Sequence, residues 1–336
     1  LRGLGGLLRD GGVVMDLESG QVLDVGDRAA LRGRWVGAAH TELSGMLLPG
    51  FVNANAHIEL TAVADPHAPG LGVRRWIRKI ADLRAETDRL DERSREARLR
   101  ASVRACLTCG TAAIGEVTHS LRPVPAMGRE GLYGVVFHEL INARRMAKAL
   151  AAAAVQKAGI VPWPDGVRYR LAPGGLRASA KLALKELIIH PFGEGRTAAD
   201  RAARLGRPVV LSPRVDRHVT GEPPPLVSYL EAGCRIALGT DLSAGSADLS
   251  VLREAAELAA AYPEVPALVL FEAATSGGAS ALGLETLGAL SVGRAPGLLH
   301  VPVAGRTPDD PCRWLLQAGH PDLAWLVRAA PPPLAA

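Results

Sequence analysis

The stretch LLPGFVNANAHIEL, residues 47–60, is an apolar run that ends in a polar cluster. A short run of this kind reads as a buried strand. Six further runs share the pattern: GTAAIGEVTHS, LYGVVFHELI, VRYRLAPGG, ELIIHPFG, RPVVLSPRVD and CRIALGTDLS. Helical stretches separate them, the longest over residues 74–108, with others near 142–158, 177–186, 196–205, 224–232 and 249–261. Strands alternating with helices predict parallel βαβ units, and a long series of them predicts a (β/α) barrel of the TIM type. In such a barrel the functional groups gather at the carboxyl ends of the strands. Asn55, His57, Glu116, His119, Glu139, His190 and Asp241 all fall there.

One interval is short. Between RLAPGG and ELIIHP lie ten residues, LRASAKLALK, enough for a single helix. A parallel crossover takes about a dozen residues or more, and an extra strand would need two crossovers. An eight-unit barrel is therefore missing one βα unit just before His190.

The flanks differ from the centre. Residues 1 to about 46 read as short strands with Gly-rich turns, and LGALSVGRAPGLLHVPV near 287–303 is a second β-like piece. These predict a small β-sandwich domain built from both termini, residues 1–48 and 285–325, around a barrel over 49–284. A Pro-rich tail is expected over 326–336.

Composition narrows the function classes. Hydrophobic residues make up 48% and charged residues 22% of the 336, the profile of a soluble globular chain with a large core. No apolar run reaches the roughly 18 residues of a membrane span. The opening LRGLGGLLRDGG has no long apolar stretch or cleavage site, so a cytoplasmic protein without a secretory leader is expected. The net charge of +5 comes from 34 Arg and 5 Lys interleaved with acids, as in RKIADLRAETDRLDERSREARLR. That pattern suits a solvated helix face and argues against nucleic-acid binding. Cys106 and Cys109 have C-x-x-C spacing, but no second pair completes a zinc site.

Taken together, LLPGFVNANAHIEL, GTAAIGEV, VVFHEL, RLAPGG, VVLSPRVDRHVTG, EAGCRIALGTDLSAGSADLSVLREAA and LGALSVGRAPGLL resemble the amidohydrolase superfamily. The likeness runs from about residue 10 to 310 and points to the branch of zinc- or iron-dependent deaminases and chlorohydrolases. It implies a first strand ending in a His-x-His pair of metal ligands, which here is Asn55 and His57. It implies a substrate-contacting histidine after Ala-Pro, where Gly174 stands. It implies a sixth-strand histidine that orients substrate or water, matched by His190, and an eighth-strand Asp that binds metal and takes a proton, matched by Asp241. The fifth-strand metal histidine and proton-shuttling Glu have no match, because that stretch coincides with the missing unit. In a second alignment His190 is the fifth-strand ligand and Glu194 the shuttle, although HPFGE is one residue too long for it.

Each retained residue also has a structural reading. His57 suits a hydrogen-bonded relic as well as a ligand, His190 before a proline suits a loop cap, and Asp241 suits a turn-holding residue. Two functions therefore stay open. One is an amidohydrolase-like protein with an eroded site, catalytically impaired or inactive and kept for binding or regulation. The other is an active, divergent metal-dependent hydrolase or deaminase acting on C–N bonds of a cyclic amidine or nucleoside-like substrate. It would use Zn2+ or Fe2+ on His57, Asp241, His190 and Asn55, with His190 and Asp241 catalytic. The first reading requires no metal. The expected partner is a small-molecule substrate, with a homodimer compatible with the resemblance.

Overall fold

The computed structural model describes residues 6–61, 70, 72–140, 147–173, 188–189, 195–242, 248–305, 308–318 and 322–332. The apolar run at 47–60 becomes two strands, β3 (Met46–Leu48) and β4 (Phe51–Ala56), after β1 (Gly11–Met15) and β2 (Val22–Asp27). β4 starts a four-stranded parallel sheet with β5 (Thr111–Thr118), β6 (Tyr133–Leu140) and β7 (Val167–Pro173), in that order. A three-stranded parallel sheet holds β8 (Ile188–Ile189), β9 (Val209–Leu211) and β10 (Ile236–Leu238). A parallel bridge between Ala56 and Asp241 joins the two sheets on the β4–β10 side. Every residue of β4, β5, β9 and β10 is buried, as expected of parallel strands covered on both faces.

The expected strand runs thus all contain strands, and they pair in parallel. Gly134 shows how tightly: its φ is 150°, and a Cβ there would lie 1.9 Å from the Ile114 carbonyl oxygen. Only glycine allows β6 that approach to β5. Outside the sheet, the helices Leu226–Glu231, Val251–Ala261 and Ala267–Glu272 bury Tyr229, Leu252, Leu258 and Leu270 against Val209, Leu211 and Leu238. Ala267–Glu272 runs on into a π turn, Ala273–Gly277.

The long amphipathic helical segment expected over 74–108 is two helices, Val73–Arg89 and Glu92–Thr108. Leu90 is extended, with ψ 141°, and Asp91 restarts the chain by accepting a bond from the Ser94 N–H at 2.9 Å. The buried guanidinium of Arg95 donates to the Asp88 and Leu90 carbonyls, meeting acceptors that the end of the first helix leaves open. The two halves pack differently, Val73–Arg89 against the helix at Pro213–Thr220 and Glu92–Thr108 against β5.

At the flanks, β11 (Leu298–Val301) pairs antiparallel with β3 on one side and β12 (Ala324–Val327) on the other. β1 and β2 form an antiparallel hairpin whose Val22 exchanges backbone bonds with Arg294 and Gly293. β3, from the first fifty residues, thus pairs directly with β11, from the last forty. The tail expected from 326 starts later: β12 includes Leu326 and Val327, and the Ala330 N–H donates to the Ala295 carbonyl. A helix at Arg28–Arg34, capped by Asp27, and one at Pro311–Gln317, capped by Asp310, were not foreseen.

Candidate functional site

The polar end of β4 meets the segment after β10. Asn53 fixes the register: its amide donates to Thr240 Oγ1 at 2.8 Å and accepts from the Thr240 N–H at 3.1 Å. Two residues on, the Asp241 N–H donates to the Asn55 carbonyl at 2.8 Å, and the His57 N–H donates to the Asp241 carbonyl at 3.2 Å. This ladder brings three of the expected site residues together. His57 Nε2 lies 3.0 Å from Asp241 Oδ1, with 7% and 5% of the two side chains exposed. Asp241 holds a φ of 48°, a left-handed conformation that Asp tolerates better than most residues and that gathers at functional sites.

Asn55 stands beside this pair with neither amide atom hydrogen-bonded, although the residue is completely buried. Each such unmet group costs about 1–3 kcal/mol. Gly239 packs directly against it, since a Cβ there would come within 2.6 Å of the Asn55 Cβ and backbone. His190, Gly174 and Glu194 lie outside the described residues, so the alternative roles of His190 rest on sequence.

The other polar residues at strand ends serve one another. Glu116 is fully buried and accepts from the Ile58 N–H at 3.0 Å, so it holds the turn that follows His57. Burial pushes its carboxyl well above the usual carboxylate range. Glu59, which the sequence reading passed over, accepts from Thr118 Oγ1 at 2.7 Å and from Ser120 Oγ, and lies 3.7 Å from His119 Nδ1. Glu139 is ion-paired with Arg84 of the Val73–Arg89 helix. His138 sits 3.2 Å from both the Tyr169 hydroxyl and the His119 carbonyl, and burial lowers its pKa. A helix sequence alone gives no hint that Arg84 would reach a strand end 55 residues away.

An apolar layer adjoins the pair. Leu60 and Leu242, close in sequence to His57 and Asp241, pack with Trp76, Ile80, Val215 and Val219. The Val73–Arg89 helix is tied to the Pro213–Thr220 helix where the Gly70 and Gly72 N–H groups donate to the His218 and Val219 carbonyls. The Trp76 and His218 rings meet edge to face, 5.7 Å apart.

Can these residues hold a catalytic metal? Such a centre takes about three protein ligands plus water. His57 and Asp241 are donors of the right kind, but Asn55 offers only a neutral amide oxygen. No group of three His, Cys, Asp or Glu suited to a metal occurs among the described residues. The described donors do not fit a catalytic zinc or iron centre. Cys106 and Cys109 do not substitute, since both are buried and burial raises both thiols, Cys106 most.

Comparison with known proteins places this arrangement. The amidohydrolase family profile matches residues 170–312. A 5-methylthioadenosine/S-adenosylhomocysteine deaminase of Halobacterium salinarum is 27% identical over 348 residues, covering 84% of this chain and 78% of that one. An adenosine deaminase from Xanthomonas campestris with bound zinc superposes with a TM-score of 0.77 at 18% identity, covering 96% and 88% of the two chains. The aminofutalosine deaminase of Helicobacter pylori, in complex with methylthio-coformycin, gives 0.76 at 18% identity over 93% and 91%. The fold is therefore the α/β fold of these enzymes, and the quoted motifs from RLAPGG onward fall within residues 170–312. The family match over residues 170–312 and the deaminase relatives together support a place in the amidohydrolase superfamily.

Proposed function

We propose that this chain binds a small molecule at the carboxyl ends of its parallel strands without carrying out the metal-assisted hydrolysis of its relatives. The observation that carries this reading is the length of chain between β7 and β8. Only residues 174–187 separate Pro173 from Ile188. The interval between β5 and β6, residues 119–132, is the same length and holds a single eight-residue helix, Pro123–Glu130. One crossover fits such an interval, whereas a further strand with a second crossover does not. The resemblance assigns a metal-binding His and the proton-shuttling Glu to that further strand. On this reading β7 and β8 are neighbours, and the parallel strands close as a seven-stranded barrel.

Asn55 supports the same conclusion, since a neutral amide replaces an imidazole beside His57. The terminal β segments, residues 1–48 and 285–325, form a small domain beside the barrel on this view. The protein works in the cytoplasm, as a monomer or homodimer.

A second reading is favoured by the survival of His57 and Asp241 as an adjacent buried pair. With His190 as third ligand they would hold one zinc or iron ion. That ion would supply an activated water for deamination of a 5′-methylthioadenosine-like substrate.

Elemental analysis of protein purified without chelators or a His tag separates the two. A folded, metal-free protein with no turnover of 5′-methylthioadenosine is the expected result. About one zinc or iron per chain, with deamination abolished by chelation, would overturn it.

A further inference from the structure

Asn55 makes a demand that the His57–Asp241 pair does not answer. Its side chain is fully buried, and neither its carbonyl oxygen nor its amide nitrogen has a hydrogen-bond partner. Buried amides are nearly always paired, so the exception requires a reason. The surrounding groups are committed elsewhere. Asn53 and Thr240 satisfy each other, and the backbone carbonyl of Asn55 is taken by the Asp241 N–H. On the β10 side the facing residue is Gly239, which brings no side chain. The sequence has thus placed a donor and an acceptor in a dry position and left them open, next to a histidine and a carboxylate.

Resting on the reading of this site as one that binds without hydrolysing, we propose that Asn55, His57 and Asp241 form a recognition site for an uncharged planar ligand bearing a lactam or primary carboxamide edge. A primary amide offers one carbonyl acceptor and an NH2 donor. A lactam or carboxamide presents the complementary acceptor and donor side by side, so one ligand edge satisfies both atoms of Asn55. A carboxylate ligand fits worse, because it brings a second negative charge towards Asp241 and has no N–H for the Asn55 oxygen. An isosteric ligand lacking the N–H leaves Asn55 half unpaired, and sites built around a hydrogen-bonding group reject such analogues strongly. No metal takes part.

The test uses the full chain, with benzamide and 2-pyridone as probes and acetophenone as the near-isosteric control without an N–H. Binding is followed by calorimetry or ligand-observed NMR, with and without EDTA. Benzamide and 2-pyridone are expected to bind at least tenfold more tightly than acetophenone, with no effect of EDTA. Asn55→Leu, similar in volume and apolar, is expected to lose that preference while unfolding at an equal or higher denaturant concentration. Equal binding of acetophenone, no binding of any probe, or full binding by Asn55→Leu would overturn the proposal. The comparison of benzamide with acetophenone uses the unaltered chain, so it decides the matter even where the variant does not fold. Binding abolished by EDTA and restored by zinc would instead overturn the metal-free reading of function. Loss of the probe preference in a metal-free, non-hydrolysing protein would remove only this site.

Discussion

His57 and Asp241 are held by each other as much as by the sheet, because both side chains are buried and their nearest polar atoms are 3.0 Å apart. Removing one member of a buried hydrogen-bonded pair exposes the desolvation of the group that stays, a loss of about 1–3 kcal/mol. Asp241→Ala is therefore expected to lower unfolding free energy by about that amount in urea titration. The left-handed backbone at 241 adds to the loss, since alanine tolerates it less well than aspartate. Asp241→Asn keeps both the backbone tolerance and a bond to the imidazole, so it should lose clearly less. Equal losses in the two variants would show that charge, rather than the bond and the backbone, holds the pair.

At the scale of elements, the Val73–Arg89 helix joins the strand ends to the Pro213–Thr220 helix through an apolar layer. Trp76 and Ile80 are its anchors, at 2% and 1% exposure. Trp76→Ala removes a large buried ring and should cost about 3–5 kcal/mol. The damage should be local: amide exchange is expected to rise first over 73–89 and 213–220, before β4, β5 and β6. Uniform acceleration across the sheet would mean the helix is an integral part of the core instead. The break at Leu90–Asp91 bears on this, because it lets the Val73–Arg89 helix lie apart from Glu92–Thr108, whose Leu99, Val103 and Cys106 pack with Ile114 of β5.

Across the whole molecule, a partly buried ionic network ties the Pro213–Thr220 helix to the chain after β10. Arg214 donates to Glu254 Oε1 at 2.6 Å and to Asp248 Oδ1 at 2.8 Å, and the Arg214 N–H donates to Glu254 Oε2 at 2.9 Å. Burial outweighs the attraction of Arg214 and raises Glu254 from 4.5 to about 7, with Asp216 acting in the same direction. The folded pKa lies above the unfolded one. The stability this carboxyl contributes is therefore complete below pH 4.5 and is lost as pH rises through 7. Glu116, also raised, adds a slope of the same sign. Carboxylates lowered by hydrogen bonds, such as Asp91 and Glu130, act in the opposite sense and only at more acid pH. Below pH 6.5 the lowered His119 and His138 also act in the opposite sense. Urea midpoints measured from pH 7 to pH 8 should therefore fall for the natural chain. The fall should be shallower in Glu254→Gln, and identical profiles would show that Glu254 does not titrate in this range.

Much of the molecule is legible from its chain alone, for a local reason. Strands buried on both faces need continuous apolar runs, and the crossovers between them need helical periodicity, so the α/β class and strand order stand in the sequence. The identities Asn55, His57 and Asp241 stand there too, as does the short interval before β8. What a chain cannot write locally is the contact between distant side chains. The break at Leu90 depends on Arg95 reaching back to open carbonyls, and Arg84 finds Glu139 only once helix and sheet are packed. The pairing of His57 with Asp241, and the unmet amide of Asn55 beside Gly239, follow from β4 and β10 lying side by side. Tertiary structure decides these because burial makes each polar atom's partner, or lack of one, energetically decisive.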